Sequence, residues 1–423
     1  MRPNLFYTIF FKSTTIKMEK IPMNICGIVA EYNPFHRGHR YHLMRTREKL
    51  GEDTLLVVCL SSYFVQRGEP ALLSPHARAE MALSQGADLV LSLPAPYALS
   101  SAEGFARGAV GILAALGCVT HLSFGTEGAG EEKIMELSRL LLDHETAANT
   151  LLHLKSGISY AAARERALYE KIKEEAALLR LPNVILGTEY GKALLQLSSP
   201  IQPVAIPRKG AGHDAMQPED GFPSASFLRQ KIAAGETQEA LSYLPPECQE
   251  IFRREQKAGR LALPALGEKA ILGRLWSLSL PELSALPGAA EGLEHRFARA
   301  LQKNQNLTGA LEETKTRRYP LSRLRRMALC GFLGLTKQEC QSSPSYIKVL
   351  AVGEKGRQAL ALSRKQATLP VITKPAQGKS IPAFQKEGDC ARLWSLFLKD
   401  PAAFSPGGYY EKGPVTEKER KMS

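Results

Sequence analysis

The stretch Gly27-Ile-Val-Ala-Glu-Tyr-Asn-Pro-Phe-His-Arg-Gly-His39 decides how this chain folds. The apolar run 25–30 predicts a buried strand, Asn33-Pro34 ends it, and a helical pattern begins a few residues later. Two histidines, His36 and His39, flank the glycine of this strand-to-helix turn. Glycine lets a ligand approach the backbone, a helix N-terminus directs N–H groups at anionic oxygens, and imidazoles can donate to a phosphate. The turn is therefore predicted to bind and cleave a nucleoside triphosphate.

Apolar runs alternate with helical patterns over the first 125 or so residues. The runs at 54–60, 88–93 and 119–124 predict strands, and helices are expected over 38–50, 75–85 and 100–116, with Ser74 as a cap. Continuous apolar strands alternating with helices indicate a parallel sheet that is covered on both faces. Ligands bind beyond the carboxyl ends of such strands, where the histidine turn and Gly125 both fall. The predicted fold class is α/β, with a Rossmann-like parallel sheet.

The segments after residue 131 add helices, a further strand and two polar helix starts. A long helix is predicted over 160–179 and a strand over 201–206. Asn183 lies just before a helix, where a polar residue is usually the N-cap, and Ser224 starts the next helix as a plain N-cap. Arg208 follows the strand, where it can reach a polyphosphate or lie in a solvated loop. On the residues alone, both interpretations of Arg208 stay open.

The composition is that of a large globular protein. With 423 residues the chain is longer than one core usually serves, so two or three domains are expected. No apolar run approaches the ~20 residues of a membrane span. The seven cysteines form no C-x-x-C pair, which predicts buried thiols in a reducing compartment and argues against a zinc site. A cytoplasmic protein with no membrane partner is therefore expected.

The segment 302–330 is strongly basic. Its acids are Glu312 and Glu313, and its basic residues are Lys303, Lys315, Arg317, Arg318, Arg323, Arg325 and Arg326. Together with a net charge of +13, this segment indicates a polyanionic partner, most simply RNA. A solvated basic face and a membrane-surface helix are the alternatives, although no basic helix with a large apolar face is evident in the sequence.

The string Val29-Ala-Glu-Tyr-Asn-Pro-Phe-His-Arg-Gly-His-Arg-Tyr-His42 resembles one branch of the H-x-G-H nucleotidyltransferases, the bacterial tRNA(Met) cytidine acetate ligases. Further matches follow in order at 66–70, 86–90, 105–108, 122–127, 157–160, 182–187, 224–229, 316–319, 323–327 and 346–350. The resemblance covers about residues 23–375. This ordered set is far more specific than the histidine motif alone.

The resemblance implies a reaction and a set of site residues. ATP and acetate would give an acetyl-adenylate and pyrophosphate, and the wobble cytidine of elongator tRNA(Met) would then take the acetyl group and release AMP. His36 and His39 would be catalytic, and Mg²⁺ would arrive with the triphosphate rather than on protein ligands. The implied ATP-binding residues are Val29, Ala30, Glu31, Tyr32, Asn33, Pro34, Phe35, His36, Arg37, Gly38, His39, Arg40, Tyr41, His42, Gly125, Asn183, Arg208, Ser224, Ser226 and Arg229. The tRNA-binding residues are expected to be Lys315, Arg317, Arg318, Arg323, Arg325 and Arg326.

The expected organisation has four parts. Residues 1–22 form an extension that is disordered or reflects a mis-assigned start, 23–235 the nucleotidyltransferase-like catalytic domain, 236–375 a mainly helical tRNA-binding domain, and 376–423 a tail. A small acetate pocket is expected near Tyr32, Phe35 and the turn 61–63. Two other functions stay open at this point: an adenylyltransferase that acts on a small phosphate-bearing metabolite, and a non-catalytic RNA-binding protein. The long basic region argues against the first, and the intact histidine pair against the second.

Overall fold

The computed structural model describes residues 23–209, 222–405 and 408–417, so the predicted extension 1–22 and the end of the tail lie outside the described residues. One large sheet organises the chain. Its strands are β1 (Ile25–Ala30), β2 (Leu55–Ser61), β5 (Leu89–Leu93), β6 (His121–Thr126), β7 (Gln202–Pro207), β8 (Ile347–Val352), β9 (Val371–Ile372) and β10 (Val415–Thr416), and β3 (Phe64–Val65) and β4 (Glu69–Pro70) form a separate hairpin.

The sheet has the order β10-β8-β5-β2-β1-β6-β7, with β9 beside β8. Strands β5, β2, β1, β6 and β7 are mutually parallel. Alternate residues of β2 belong to two different cores, with Val57 and Cys59 on one face and Val58 and Leu60 on the other. Both faces of the sheet are therefore buried, and the predicted α/β fold with a parallel sheet is confirmed.

Helices cover the sheet and then form a separate layer. Those of the first half are α1 (Arg37–Leu50), α2 (Pro75–Ser84), α3 (Ala95–Ala98), α4 (Ala102–Ala115), α5 (Glu131–Leu142), α6 (His144–Leu154), α7 (Tyr160–Ile172), α8 (Pro182–Gln196) and α9 (Ala225–Ala233). Those of the second half are α10 (Thr237–Ser242), α11 (Pro246–Lys257), α12 (Pro264–Trp276), α13 (Leu280–Ala285), α14 (Leu293–Lys303), α15 (Leu307–Thr314), α16 (Leu321–Leu333), α17 (Lys337–Gln341), α18 (Gly356–Gln366), α19 (Pro382–Trp394) and α20 (Gly408–Glu411). Helices α12, α14, α15, α16 and α19 supply most of a third core.

The predicted long helix over 160–179 is wrong in its second half. Helix α7 ends at Ile172, and Lys173–Arg180 forms a 3₁₀ helix instead. Lys173 has φ of 49°, which lies in the left-handed region and cannot continue a right-handed helix. The apolar spacing continues past this break because Ala176 and Leu179 are still buried.

Strand β8 comes from the range 236–375, which was expected to be mainly helical. It pairs antiparallel with β5, and β10 from near the end of the described chain pairs with β8 in turn. All six residues of β8 are buried, although the strand pairs antiparallel with β5. The mainly helical region therefore also contributes a strand to the large sheet.

The seven cysteines are all buried and free, as their spacing predicted. Within the described ranges, no helix is both long and apolar enough to cross a bilayer.

Candidate active site

The histidine turn lies directly beyond the carboxyl end of β1. His36 caps α1, and its Nδ1 accepts a hydrogen bond from the backbone N–H of Gly38 at 3.1 Å. The Nδ1 of His39 accepts the backbone N–H of His36 at 3.2 Å. The two imidazole rings stack with centroids 3.7 Å apart. The H-x-G-H spacing thus builds a reciprocal capping box from two histidines.

These two hydrogen bonds decide where the imidazole protons lie. Because Nδ1 of each ring accepts from a backbone N–H, the neutral form of each ring must carry its proton on Nε2. Two Nε2–H donors are therefore held side by side at a helix N-terminus. A Cβ at Gly38 would lie 2.9 Å from the His36 ring, so the glycine lets the capping imidazole fold back over the turn.

Aromatic side chains pack against the histidine turn. Tyr32 packs its ring against both Phe35 and His39, with centroid distances of 4.7 Å in each case. Asn33 is buried, and its Oδ1 accepts the backbone N–H of Leu72 at 2.7 Å. The remaining predicted residues surround this turn: Val29 and Ala30 end β1, Pro34 is buried, Arg37 and Arg40 are exposed, and Tyr41 lies under the Lys209 ammonium.

The side chain of His42, which was predicted to bind ATP, makes a hydrogen bond to the sheet. Its Nε2 lies 2.9 Å from the hydroxyl of Ser123 on β6, and the same hydroxyl lies 2.8 Å from that of Thr46. Burial, assisted by the positive charge of Arg208, lowers the pKa of His42 to about 4. The ring is therefore neutral at physiological pH and fixes α1 onto β6.

This burial makes stability depend on pH. Between the unfolded pKa of about 6.5 and the folded pKa of about 4, only the unfolded chain takes up the proton, so His42 contributes stability above pH 6.5 that is lost as the pH falls. The wild type is expected to lose up to about 3 kcal/mol of unfolding free energy through His42 as the pH falls, and His42→Gln should remove this loss. Urea unfolding at pH 7 and pH 4.5 measures it, with the exposed His144→Gln as control. Equal pH dependence in both variants would contradict the assignment.

A second group of predicted residues meets beyond β6 and β7. Asn183 Nδ2 donates to Glu127 Oε1, and Arg208 Nη1 donates to Asn183 Oδ1 at 3.4 Å. A Cβ at Gly125 would lie 3.0 Å from the Arg208 side chain. The cap interpretation of Asn183 is wrong, because Leu181 is the N-cap of α8 and Pro182 its first residue. The amide instead orients a guanidinium at the edge of the sheet.

The third group lies at the start of α9. Ser224 is the N-cap, accepting the backbone N–H of Phe227 at 3.1 Å, as the sequence predicted. Arg229 donates to the backbone carbonyl of Asn33 at 3.0 Å and lies 3.4 Å from the hydroxyl of Ser226. Arg229 thereby ties the Ser-rich helix start to the histidine turn.

The β3–β4 hairpin joins this site to the basic helix α16. The backbone N–H of Gln66 donates to the Glu31 carboxylate at 2.7 Å. One carboxylate, that of Glu69, accepts from Arg229 at 3.1 Å and from Arg325 of α16 at 2.9 Å. Sequence reasoning assigned no role to Glu69, although the string 66–70 was among the matches to the family.

Comparison with known proteins agrees with this architecture. A model of the family described as HIGH Nucleotidyl Transferase matches residues 23–405. The tRNA(Met) cytidine acetate ligase of Thermoanaerobacter sp. (strain X514) is 36% identical over 390 residues, which cover 89% of this chain and 96% of that protein. The chain belongs to the tRNA(Met) cytidine acetate ligase family. The ligase of Kosmotoga olearia is 35% identical over 382 residues, covering 87% and 89% of the two chains.

Two solved structures share the fold over nearly the whole chain. The crystal structure of apo Thermotoga maritima TmcAL superposes with a TM-score of 0.87 at 31% sequence identity, covering 93% of this chain and 99% of that one. TmcAL bound with alpha-thio ATP gives the same values. The likeness includes the helical layer as well as the catalytic sheet.

In this member of the ligase family, most of the predicted tRNA-binding cations have partners within the protein. Arg318 pairs with Glu291 at 2.7 Å, Arg323 donates to the carbonyl of Gly288 at 2.8 Å, and Arg326 donates to the carbonyl of Gln66 at 3.0 Å. Burial lowers the pKa of Arg326 to about 10. Lys315 and Arg317 are exposed. Arg323, Arg325 and Arg326 therefore position α16 on its neighbours, and a tRNA-binding role for the set stays a prediction.

The expected acetate pocket also stays a prediction in this ligase-family chain. The hydroxyls of Tyr32, Ser61 and Tyr63 are buried and meet no hydrogen-bond partner among the described residues. Such groups are costly unless a ligand or water satisfies them. No group of three His, Cys, Asp or Glu side chains suited to a metal ion occurs in the described part of the chain.

The hairpin of this ligase-family chain has a glycine where it meets α16. Gly68 has φ of +76°, and a Cβ there would lie 2.6 Å from the Arg326 backbone nitrogen. Gly68→Ala is expected to destabilise the protein by about 2 to 3 kcal/mol, from left-handed strain plus the clash. Gly128→Ala is a matched control, since its φ is +73° but nothing lies within 4 Å. Urea unfolding should show the larger loss at Gly68, and equal losses would contradict a hairpin–helix contact.

Proposed function

We propose that this protein acetylates the wobble cytidine of elongator tRNA(Met), using acetate and ATP through an acetyl-adenylate. The observation that carries the proposal is the pair of Nε2–H donors, His36 and His39, stacked at a helix N-terminus beyond the parallel strands. Similarity to proteins named tRNA(Met) cytidine acetate ligase, over nearly the whole chain, supports the choice of substrates.

In the first step, an acetate oxygen attacks the α-phosphorus of ATP. A new O–P bond forms, the bond from phosphorus to the bridging oxygen of the β-phosphate breaks, and pyrophosphate leaves with that electron pair. His36 and His39 would donate from Nε2 to phosphate oxygens as charge develops on them. Arg208 and Arg229 would also hold the triphosphate oxygens. Such catalysis is positioning and electrostatic stabilisation, without a covalent enzyme intermediate.

In the second step, the exocyclic amine of cytidine attacks the acetyl carbon. The new N–C bond replaces the bond from that carbon to the phosphate oxygen, so AMP leaves with the electron pair and the amine loses one proton. The base must be unstacked to reach the acetyl group. An anticodon loop keeps that cost low because its bases are unpaired.

Magnesium would bind as a complex with the triphosphate. Mg²⁺ commonly binds through substrate phosphates and waters with few protein carboxylates. When bound, the ion would neutralise charge on the leaving pyrophosphate. The proposal places the reaction in the cytoplasm, and the exposed Lys315 and Arg317 would contact the tRNA backbone.

The test is pyrophosphate release from ATP, measured with and without acetate and with unmodified elongator tRNA(Met). We expect release to require acetate, and labelled acetate to be recovered in the tRNA. Release that ignores acetate would indicate an adenylyltransferase with another acceptor. No release under any condition, with tRNA still bound, would indicate a non-catalytic RNA-binding protein.

A further inference from the structure

The outer face of α14 carries basic residues at helical spacing. Arg296, Arg299 and Lys303 are exposed and follow one another at intervals of three and four residues, so they lie on one side of the helix. The helix has 11 residues and is therefore about 16 Å long. Arg296 and Arg299 lie outside the basic segment 302–330 that the sequence indicated. We call these three side chains the α14 strip.

Two members of the α14 strip are tied to the end of α15. Arg296 donates to the backbone carbonyls of Glu313 and Thr314 at 2.6 and 2.9 Å, and Lys303 Nζ lies 3.4 Å from the Glu313 carboxylate. Exposed ion pairs of this kind contribute little, so the ammonium can exchange its partner. The guanidinium of Arg299 lies between them along α14. Apart from a 3.4 Å contact of its Nε with a backbone carbonyl one turn earlier, it pairs with no carboxylate among the described residues.

Helix α14 begins near the end of α16 that contacts the candidate active site. Arg323 of α16 donates to the carbonyl of Gly288, just ahead of α14, at 2.8 Å. Arg325 of the same helix pairs with Glu69, which also pairs with Arg229 of the candidate active site. A tRNA is far longer than this path, so a tRNA whose anticodon loop enters the site can extend along α14.

An exposed tryptophan stands at the C-terminal end of α14. Trp276, the last residue of α12, is 52% exposed. Its indole Nε1 donates to the backbone carbonyl of Leu301 at 2.9 Å, two residues before Lys303, and this bond fixes the ring beside the α14 strip. Lys269 and Gly273 are also exposed and lie on the same face of α12. A Cβ at Gly273 would meet nothing within 4 Å, so the approach to the indole from this side is open.

We propose that the α14 strip and Trp276 form a binding surface for the tRNA outside its anticodon loop, an inference that rests on the proposed function. Arg299 and Lys303 would contact backbone phosphates, and the indole of Trp276 would stack on an unpaired base. An accessible aromatic ring beside cations suits RNA, which offers both phosphates and base faces. The net charge of +13 favours the same polyanionic partner over a protein docked through the tryptophan alone.

The test measures the affinity of the full chain for full-length elongator tRNA(Met) over a range of salt concentrations. Trp276→Ala should weaken binding about tenfold, whereas Trp276→Phe, which keeps a ring but loses the N–H, should stay within about threefold of the wild type. Arg299→Gln should weaken binding and reduce the slope of log affinity against log salt by about 0.7 to 0.9, the effect of one lost phosphate contact. A purely structural role would not change this slope.

Two matched variants serve as controls. Tyr169→Ala removes a 47% exposed aromatic ring from α7, and Arg139→Gln removes an exposed arginine from α5, and both should bind tRNA as the wild type does. Unchanged affinity in Trp276→Ala and Arg299→Gln, or equal losses in the controls, would overturn the proposal. Acetate-dependent exchange between ATP and pyrophosphate, a step that needs no RNA, should be the same in all these variants. Its absence in the wild type would contradict the proposed function without altering the binding comparison.

Discussion

His36→Asn is expected to lower acetate-dependent pyrophosphate release by about 10²- to 10³-fold, the usual cost of losing one preorganised donor in a transition state. Asparagine is a good N-cap, so its side chain can still accept the Gly38 N–H that His36 accepts. The substitution therefore removes the Nε2–H while keeping the start of α1. The rate is measured at saturating ATP and acetate, together with the melting temperature.

The control for this variant is the exposed His144→Asn, which should match the wild type in rate. The melting temperature of His36→Asn should stay close to that of the wild type, because the cap is retained. A rate within threefold of the wild type would remove His36 from the reaction. A rate loss accompanied by a large drop in melting temperature would assign the residue to folding instead.

Arg78→Met is expected to destabilise the protein by about 3 to 5 kcal/mol. Arg78 is fully buried in α2, and its guanidinium donates to the backbone carbonyls of Glu31, Ser62 and Leu73. Two of these carbonyls lie just beyond the ends of β1 and β2. Methionine fills part of the volume but leaves all three carbonyls without their donor. Urea unfolding at pH 7 measures the loss.

Two further variants sharpen this prediction. Arg78→Lys retains the charge but can reach only part of the carbonyl set, so it should fall between methionine and the wild type. Arg139→Met removes an exposed arginine from α5 and should change stability by no more than about 0.5 kcal/mol. A small effect of Arg78→Met would mean that water can replace the guanidinium, and it would contradict a stabilising role for these three hydrogen bonds.

The sequence predicted best what is determined locally. The histidine turn, the Ser74 and Ser224 caps and the five parallel strands depend on neighbouring residues and on apolar periodicity, and the structure has all of them. The cap interpretation of Asn183 was wrong because Pro182 already begins the helix and the amide reaches Glu127, 56 residues away.

What the sequence could not predict depends on contacts between distant segments. In the sequence, Arg78 resembles any basic residue of a helix. Only the fold brings it against the ends of two strands. Glu69 lies between Arg229 and Arg325, and neither ion pair has a signal in its own segment. His42 matched the family string, but its packing against Ser123 emerges only when α1 is laid on β6.

Strand β8 links the two halves of the chain in a way that constrains how the protein can be made. The catalytic sheet gains this strand only after more than 340 residues have been synthesised, and α19 then adds a hydrogen bond from the Trp394 indole to the carbonyl of Ala71 at 2.8 Å. A nascent chain that stopped earlier would expose the edge of β5, and exposed strand edges promote aggregation. A fragment that ends before β8 would leave this edge of the sheet uncovered, so the sheet and the helical layer are expected to fold as one unit.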